Sequence, residues 1–183
     1  GSALVEKLSA GPLDDLRLER IEVNAQVVRF PSGLETEFGG QALYLLKAYR
    51  FEQTSDGIVA HAMPLENTPD VAKLRADPSL RAEFTGWISE NLSDIDQGTY
   101  RIPDVYLAKD ALSWSTLGVN RGANHAFSAL FLNRLEELPN PEEAEGLDFV
   151  ASQRGLLERL DAGTCTGCHQ AASTAGFHLL GPD

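Results

Sequence analysis

The chain has 183 residues, enough for one domain with a real core, and its 43% hydrophobic and 23% charged fractions are ordinary for a globular protein. Fifteen Lys+Arg against 27 Asp+Glu give a formal charge of −12, which repels phosphate backbones and anionic lipid and so argues against nucleic-acid and membrane-surface binding. No run of 18 apolar residues occurs, which argues against a membrane-spanning helix.

The opening "GSALVEKLSAG" has no initiator Met, basic n-region or long apolar h-region, so the expectation is a cloning scar or a start after a removed segment. In "LRLERIEVNAQVVRF", Leu16, Leu18, Val23, Ala25 and Val27 fall near a two-residue period, which predicts a strand. Pro31–Gly33 and Phe38–Gly40 read as breakers. Gln41–Phe51 and Gly57–Met63 read as two more strands joined by the turn "TSDG", although "QALYLLKAY" also suits a helix.

After Met63 the pattern turns helical. "NTPDVAKLR" predicts a helix capped by Thr68 with Pro69 in its first turn, and "DPSLRAEFTGWISENL" a second, with Leu80, Phe84, Trp87, Ile88 and Leu92 on one face. "TYRIPDVYLAKDALSWSTLG" is mixed and partly extended, and "NHAFSALFLNRLEEL" fits helix or strand. The acidic loop Pro139–Gly146 is a candidate boundary. "LDFVASQRGLLERLDAG" predicts a helix in which Phe149, Val150, Leu156, Leu157 and Leu160 share a face and Gly163 marks the stop.

These elements predict an α+β fold: N-terminal antiparallel strands, then helices, then a C-terminal helix leading into the turn that holds the cysteines. The expectation is a single domain over residues 1–183, with a strand-rich region over residues 1–66 and a mixed, helical region over residues 67–183.

The only two cysteines, Cys165 and Cys168, stand in "AGTCTGCHQAA", and His169 follows directly. Two thiols at this spacing reach the two vinyl groups along one edge of a porphyrin, and the next imidazole then lies under the iron. C-x-x-C-H is the spacing of c-type haem attachment. Thr166 and Gly167 are small, and glycine lets backbone approach the macrocycle closely. Three other chemistries use such residues. A Cys165–Cys168 disulfide in a haem-free exported binding or structural module accounts for the thiols but leaves His169 unexplained. Zinc would need Cys165, Cys168 and His178 with His125 as fourth ligand, and no second paired motif is present. A catalytic dithiol belongs at a helix N-terminus in a βαβ frame, whereas this pair follows a helix.

The stretch resembles the attachment site of c-type cytochromes. That resemblance implies haem c as cofactor, Cys165 and Cys168 as thioether donors and His169 as proximal iron ligand. It also implies maturation outside the cytoplasm, hence a periplasmic or otherwise extracytoplasmic address, and a redox partner protein, for which the acidic surface suits a basic one. The likeness covers five residues, and the chain departs from small cytochromes c, which carry the motif near the N-terminus and a distal Met far downstream. A C-terminal motif behind a strand-rich body looks more like the β-sheet haem c family that includes cytochrome c′-beta. "CTGCH" followed by "GFHLLG" is similar to the C-x-x-C-H … F-H-x-x-G pattern of di-haem cytochrome c peroxidases.

The sixth iron position divides function. His178 and Met63 are the distal candidates, with His61 and His125 behind them; a loop from His169 to His178 reaches at most about 30 Å. A second strong ligand argues for electron transfer, and an open site for gas binding or peroxidase-like work. No acid–base constellation accompanies the motif, which favours electron transfer. "SDIDQGTY" resembles a calcium loop, but Gly98 comes one place early and no closing Glu follows, so Asp94 and Asp96 read as a solvated turn. G-x-S-x-G, phosphate-loop and H-E-x-x-H motifs are absent from the sequence. Trp87 and Trp114 read as core residues.

Overall fold

A computed structural model describes residues 20–32, 35–114 and 124–167. It is an antiparallel sheet of N-terminal strands followed by helices, as expected. Strands β1 (Arg20–Ser32) and β2 (Glu35–Thr54) pair along most of their length, and β3 (Gly57–Met63) returns along the other edge of β2. Phe38–Gly40 does not break β2, because the backbone there is held in the ladder, Gly40 opposite Pro31. The register skips Val27 between Gln26 and Val28, so Val28 takes the face that the two-residue period assigned to Val27. "QALYLLKAY" resolves as strand because both of its edges are paired, an outcome that local propensity does not decide.

Strand β4 (Asp110–Trp114) completes the sheet in an unusual way. Met63 at the end of β3 lies opposite Ala48, and Asp110 at the start of β4 lies opposite Lys47. β4 therefore takes up the track that β3 leaves, and residues 64–109 form an excursion between two halves of one edge. Backbone bonds Leu65 N–H to Ala108 O (2.7 Å) and Ala108 N–H to Thr68 O (2.9 Å) tie the ends of the excursion together.

The excursion holds α1 (Val71–Ala76), α2 (Pro78–Glu90) and α3 (Leu92–Gln97). The cap of α1 is Asp70, which accepts the Lys73 N–H, and not Thr68, whose hydroxyl is used elsewhere. Asp77 caps α2 by accepting from Ser79 N and Leu80 N, with Pro78 at the first position as helix starts favour. After β4 come α4 (Ala126–Phe131) and α5 (Gln153–Ala162). Phe84, Ile88, Ile95, Phe127, Phe131, Leu156 and Leu160 are fully buried in one cluster that joins all these helices. The Phe84 ring lies 4.8 Å from Tyr106 and 5.9 Å from Phe127, centroid to centroid. Residues on both sides of the acidic loop, Leu138 and Val150 among them, belong to this cluster.

Two further expectations are corrected. The last helix begins only at Gln153, capped by Ser152, and Phe149 is 69% exposed. The segment before it is bound instead to Asp96, whose carboxylate accepts the N–H groups of Asp148, Phe149 and Val150 at 2.7–2.9 Å. Asp96 is thus buried within α3 and does not lie in a solvated turn. Burial pushes its carboxyl up, but the three N–H donors and the Arg159 guanidinium outweigh this and hold it below the ordinary carboxylate range.

Candidate functional site

Helix α5 ends at Ala162, and Gly163 donates its N–H back to Arg159 and Leu160, so the expected stop is where the sequence put it. The chain then winds into a tight turn of Thr164, Cys165, Thr166 and Gly167. Thr164 Oγ1 donates to the Asp161 carbonyl at 2.8 Å and accepts the Gly167 N–H at 2.7 Å. Thr164 and Thr166 are buried and their hydroxyls lie 3.0 Å apart. Gly167 is required here for a reason other than a macrocycle: a Cβ on it would run into the Asp161 carbonyl oxygen and stand 2.9 Å from Thr164 Oγ1.

This turn is fastened to the sheet. Thr68, nearly fully buried, accepts the Cys165 N–H at 2.9 Å and donates to Glu66 O at 3.1 Å. The Ser113 hydroxyl on β4 donates to Thr166 O at 3.4 Å. The Cys165 thiol contacts Glu66 O at 3.4 Å and packs with Met63 and Ala111 on the small cluster of Leu46, Ala48 and Leu65. Burial pushes this thiol above its usual pKa; the Thr68 bond and Arg20 pull it down, Glu22 and Glu66 push it further up, and it stays protonated at neutral pH. Cys165 is free, and among the described residues no group of three or more His, Cys, Asp or Glu converges as a metal site.

On the other side of the turn, Gly167 lines an open cavity of about 700 Å³ between α4 and α5, together with His125, Leu132, Arg154, Leu157 and Asp161. Its wall is mainly apolar, and its size falls within the roughly 300–1,000 Å³ of small-molecule and cofactor pockets. Asp161 is 3% exposed and caps α4 from a distance, accepting from Phe127 N (2.7 Å), Ser128 N (3.2 Å) and the Ser128 hydroxyl (2.6 Å). Burial raises its pKa, and these donors with His125 only partly offset that. His125 Nδ1 lies 3.7 Å from Asp161 Oδ2, which turns one ring edge toward the buried carboxylate.

The sequence-derived candidates thus separate. Met63 and Cys165 share one cluster; His125 and Gly167 share the cavity; His61 sits exposed on β3, its Nε2 3.1 Å from Glu52 Oε2. Cys168, His169 and His178 lie outside the described residues. Thr68, Glu66, Ser113 and Asp161 were not foreseen as members of the site, since each meets the turn across a long stretch of chain and carries no local pattern. Trp87 packs against the large cluster, as expected of a core residue.

Comparison with protein-family models, curated proteins and solved structures finds no match to this chain. No helix among the described residues is long and apolar enough to cross a membrane.

Proposed function

We propose that this protein binds one haem c covalently through Cys165 and Cys168, with His169 as proximal ligand, and transfers electrons outside the cytoplasm. The observation that carries the reading is the run Cys165–Thr166–Gly167–Cys168–His169, the sole place where the chain uses cysteine. Of the described residues, Cys165 and Gly167 bear on such a group, and they do so from opposite sides of the turn. Cys165 is an unbridged thiol, and thioether formation needs a reduced thiol: its sulfur bonds one vinyl carbon and its hydrogen goes to the other. A cavity of suitable size adjoins Gly167, the residue bonded to Cys168; the Cys165 thiol packs away from it on Met63 and Ala111 and must turn out of that packing to bond a group seated there.

Each described residue has a definite role. Thr68 and Thr164 fix the backbone of the turn that carries Cys165. Leu132 and Leu157 supply apolar wall, and Arg154 is the cation at the cavity that would meet an anionic edge such as a propionate. When bound, the haem supplies a one-electron ferric–ferrous couple. Met63 and His178 are the distal-ligand candidates, Met63 packing with Cys165 on the sheet side of the turn and not at the cavity, and the −12 charge suits docking to a basic redox partner.

The test is an absorption spectrum of protein matured with the c-type haem machinery. The expected result is a Soret band that survives acid–acetone extraction and is lost in Cys165→Ala with Cys168→Ala. Protein matured in that way with its two sulfurs joined and no tetrapyrrole attached would refute the proposal and favour the haem-free disulfide module.

A further inference from the structure

The sheet has two chemically different faces. Ala42, Leu46, Ala48 and Ser113 point to the helical side and are buried. The ladder pairs put the alternate residues on the opposite face: Ile21 beside Tyr49, Val23 beside Lys47, Val28 beside Leu43 and Leu45 beside Leu112, with Ile58 of β3 in the same phase. Ile21, Val23, Val28, Ile58 and Leu112 are 36–67% exposed. None of them belongs to either core cluster. An apolar β-face left in water would cost stability and invite association.

We propose that this face binds a second copy of the same chain, sheet against sheet, in a two-fold dimer. Two observations select that occupant. The exposed apolar side chains adjoin the half-buried row Leu43, Leu45, Tyr49 and Phe51 along β2, so the apolar surface runs across β1, β2 and β4 as the core of an interface requires. The charge pattern is the second. A chain of net charge −12 repels its copies almost anywhere, yet on this face the paired strands place one cation and one anion, Lys47 and Asp110, 3.9 Å apart. Lys47 is the middle residue of the β2 row, so the pair sits near the centre of the patch. A face with one positive and one negative group side by side is its own complement under a two-fold axis: Lys47 of one copy meets Asp110 of the other. Among the described side chains of this face the two charges balance, so they offer a basic partner no excess of negative charge. The inference is independent of the haem reading, because it concerns the opposite face of the sheet from Cys165.

The experiment is sedimentation velocity on the full chain from about 1 to about 100 µM, where dimerisation follows mass action. The expected mass is twice the 19.9 kDa of the chain. Lys47→Asp and Asp110→Lys, each keeping the parent far-UV circular dichroism, should each weaken the dimer at least tenfold, since each brings like charges across the axis. Mixing the two variants should restore a dimer containing one of each, a result that misfolding cannot imitate. Leu112→Glu should also give monomers. A monomer at every concentration would overturn the proposal, as when another segment of the chain or a lipid surface covers the face. So would a dimer that is indifferent to all three substitutions.

Discussion

Gly167→Ala tests the turn that presents the first cysteine. A Cβ at this position would collide with the carbonyl oxygen of Asp161, approach its carbonyl carbon to 2.8 Å and stand 2.9 Å from Thr164 Oγ1. The obstacle is backbone at the end of a helix, so no rotamer change relieves it. The turn must open, and the bonds Gly167 N–H to Thr164 (2.7 Å) and Thr164 to Asp161 O (2.8 Å) are strained or lost with it. Overpacking costs about 1–3 kcal/mol and each net hydrogen bond about 1 kcal/mol, so a loss of about 2–4 kcal/mol is expected. For a chain of this length that lowers Tm by roughly 4–16 °C. Gly86→Ala is the control. Gly86 lies within α2 with nothing within 4 Å of its would-be Cβ, so there the same change should stabilise by about 1 kcal/mol through helix propensity. Thermal unfolding followed by circular dichroism reads both, and in haem-matured protein the Soret-to-protein absorbance ratio should fall for Gly167→Ala alone. Equal Tm values for the Gly167 variant and the parent would refute the close-packed turn.

Asp161→Ala removes the acceptor for Phe127 N, Ser128 N and the Ser128 hydroxyl and should cost about 3 kcal/mol in urea unfolding, given about 1–3 kcal/mol for each donor left without a partner. Thr68→Val should cost about 1–2 kcal/mol because it orphans the Cys165 N–H, whereas Thr68→Ser should cost little; equal losses would show that the hydroxyl is not the tie. Tyr100 is buried and its phenol is pushed up to about 12, with Arg159 lowering and Asp161 raising it as smaller effects. Because the unfolded phenol ionises near 10 and the folded one near 12, stability should be full below pH ~10 and fall by up to about 3 kcal/mol as pH rises through 12, a slope that Tyr100→Phe should lack.

Much of the architecture was readable along the chain because it rests on local physics. The two-residue alternation of β1, the helix starts at aspartate and proline, and the stop at Gly163 each follow from neighbours a few residues apart. Where long-range partners competed, local reading failed: Thr68 left its cap for Cys165, and Asp96 drew residues 148–150 out of the predicted helix. Both are buried polar groups, and a buried donor or acceptor takes whichever partner the tertiary packing supplies.

Residue order alone settled the fold class and the spacing of two thiols and an imidazole, because both can be read along the chain without knowing what packs on what. Three-dimensional packing was needed to establish that β4 resumes the track of β3, that the Cys165 turn is bolted to Thr68 and Ser113, and that Ile21, Val23, Val28, Ile58 and Leu112 are exposed on one sheet face. These are contacts between segments remote along the chain. Their free energy depends on which surfaces meet, and no local pattern carries that information.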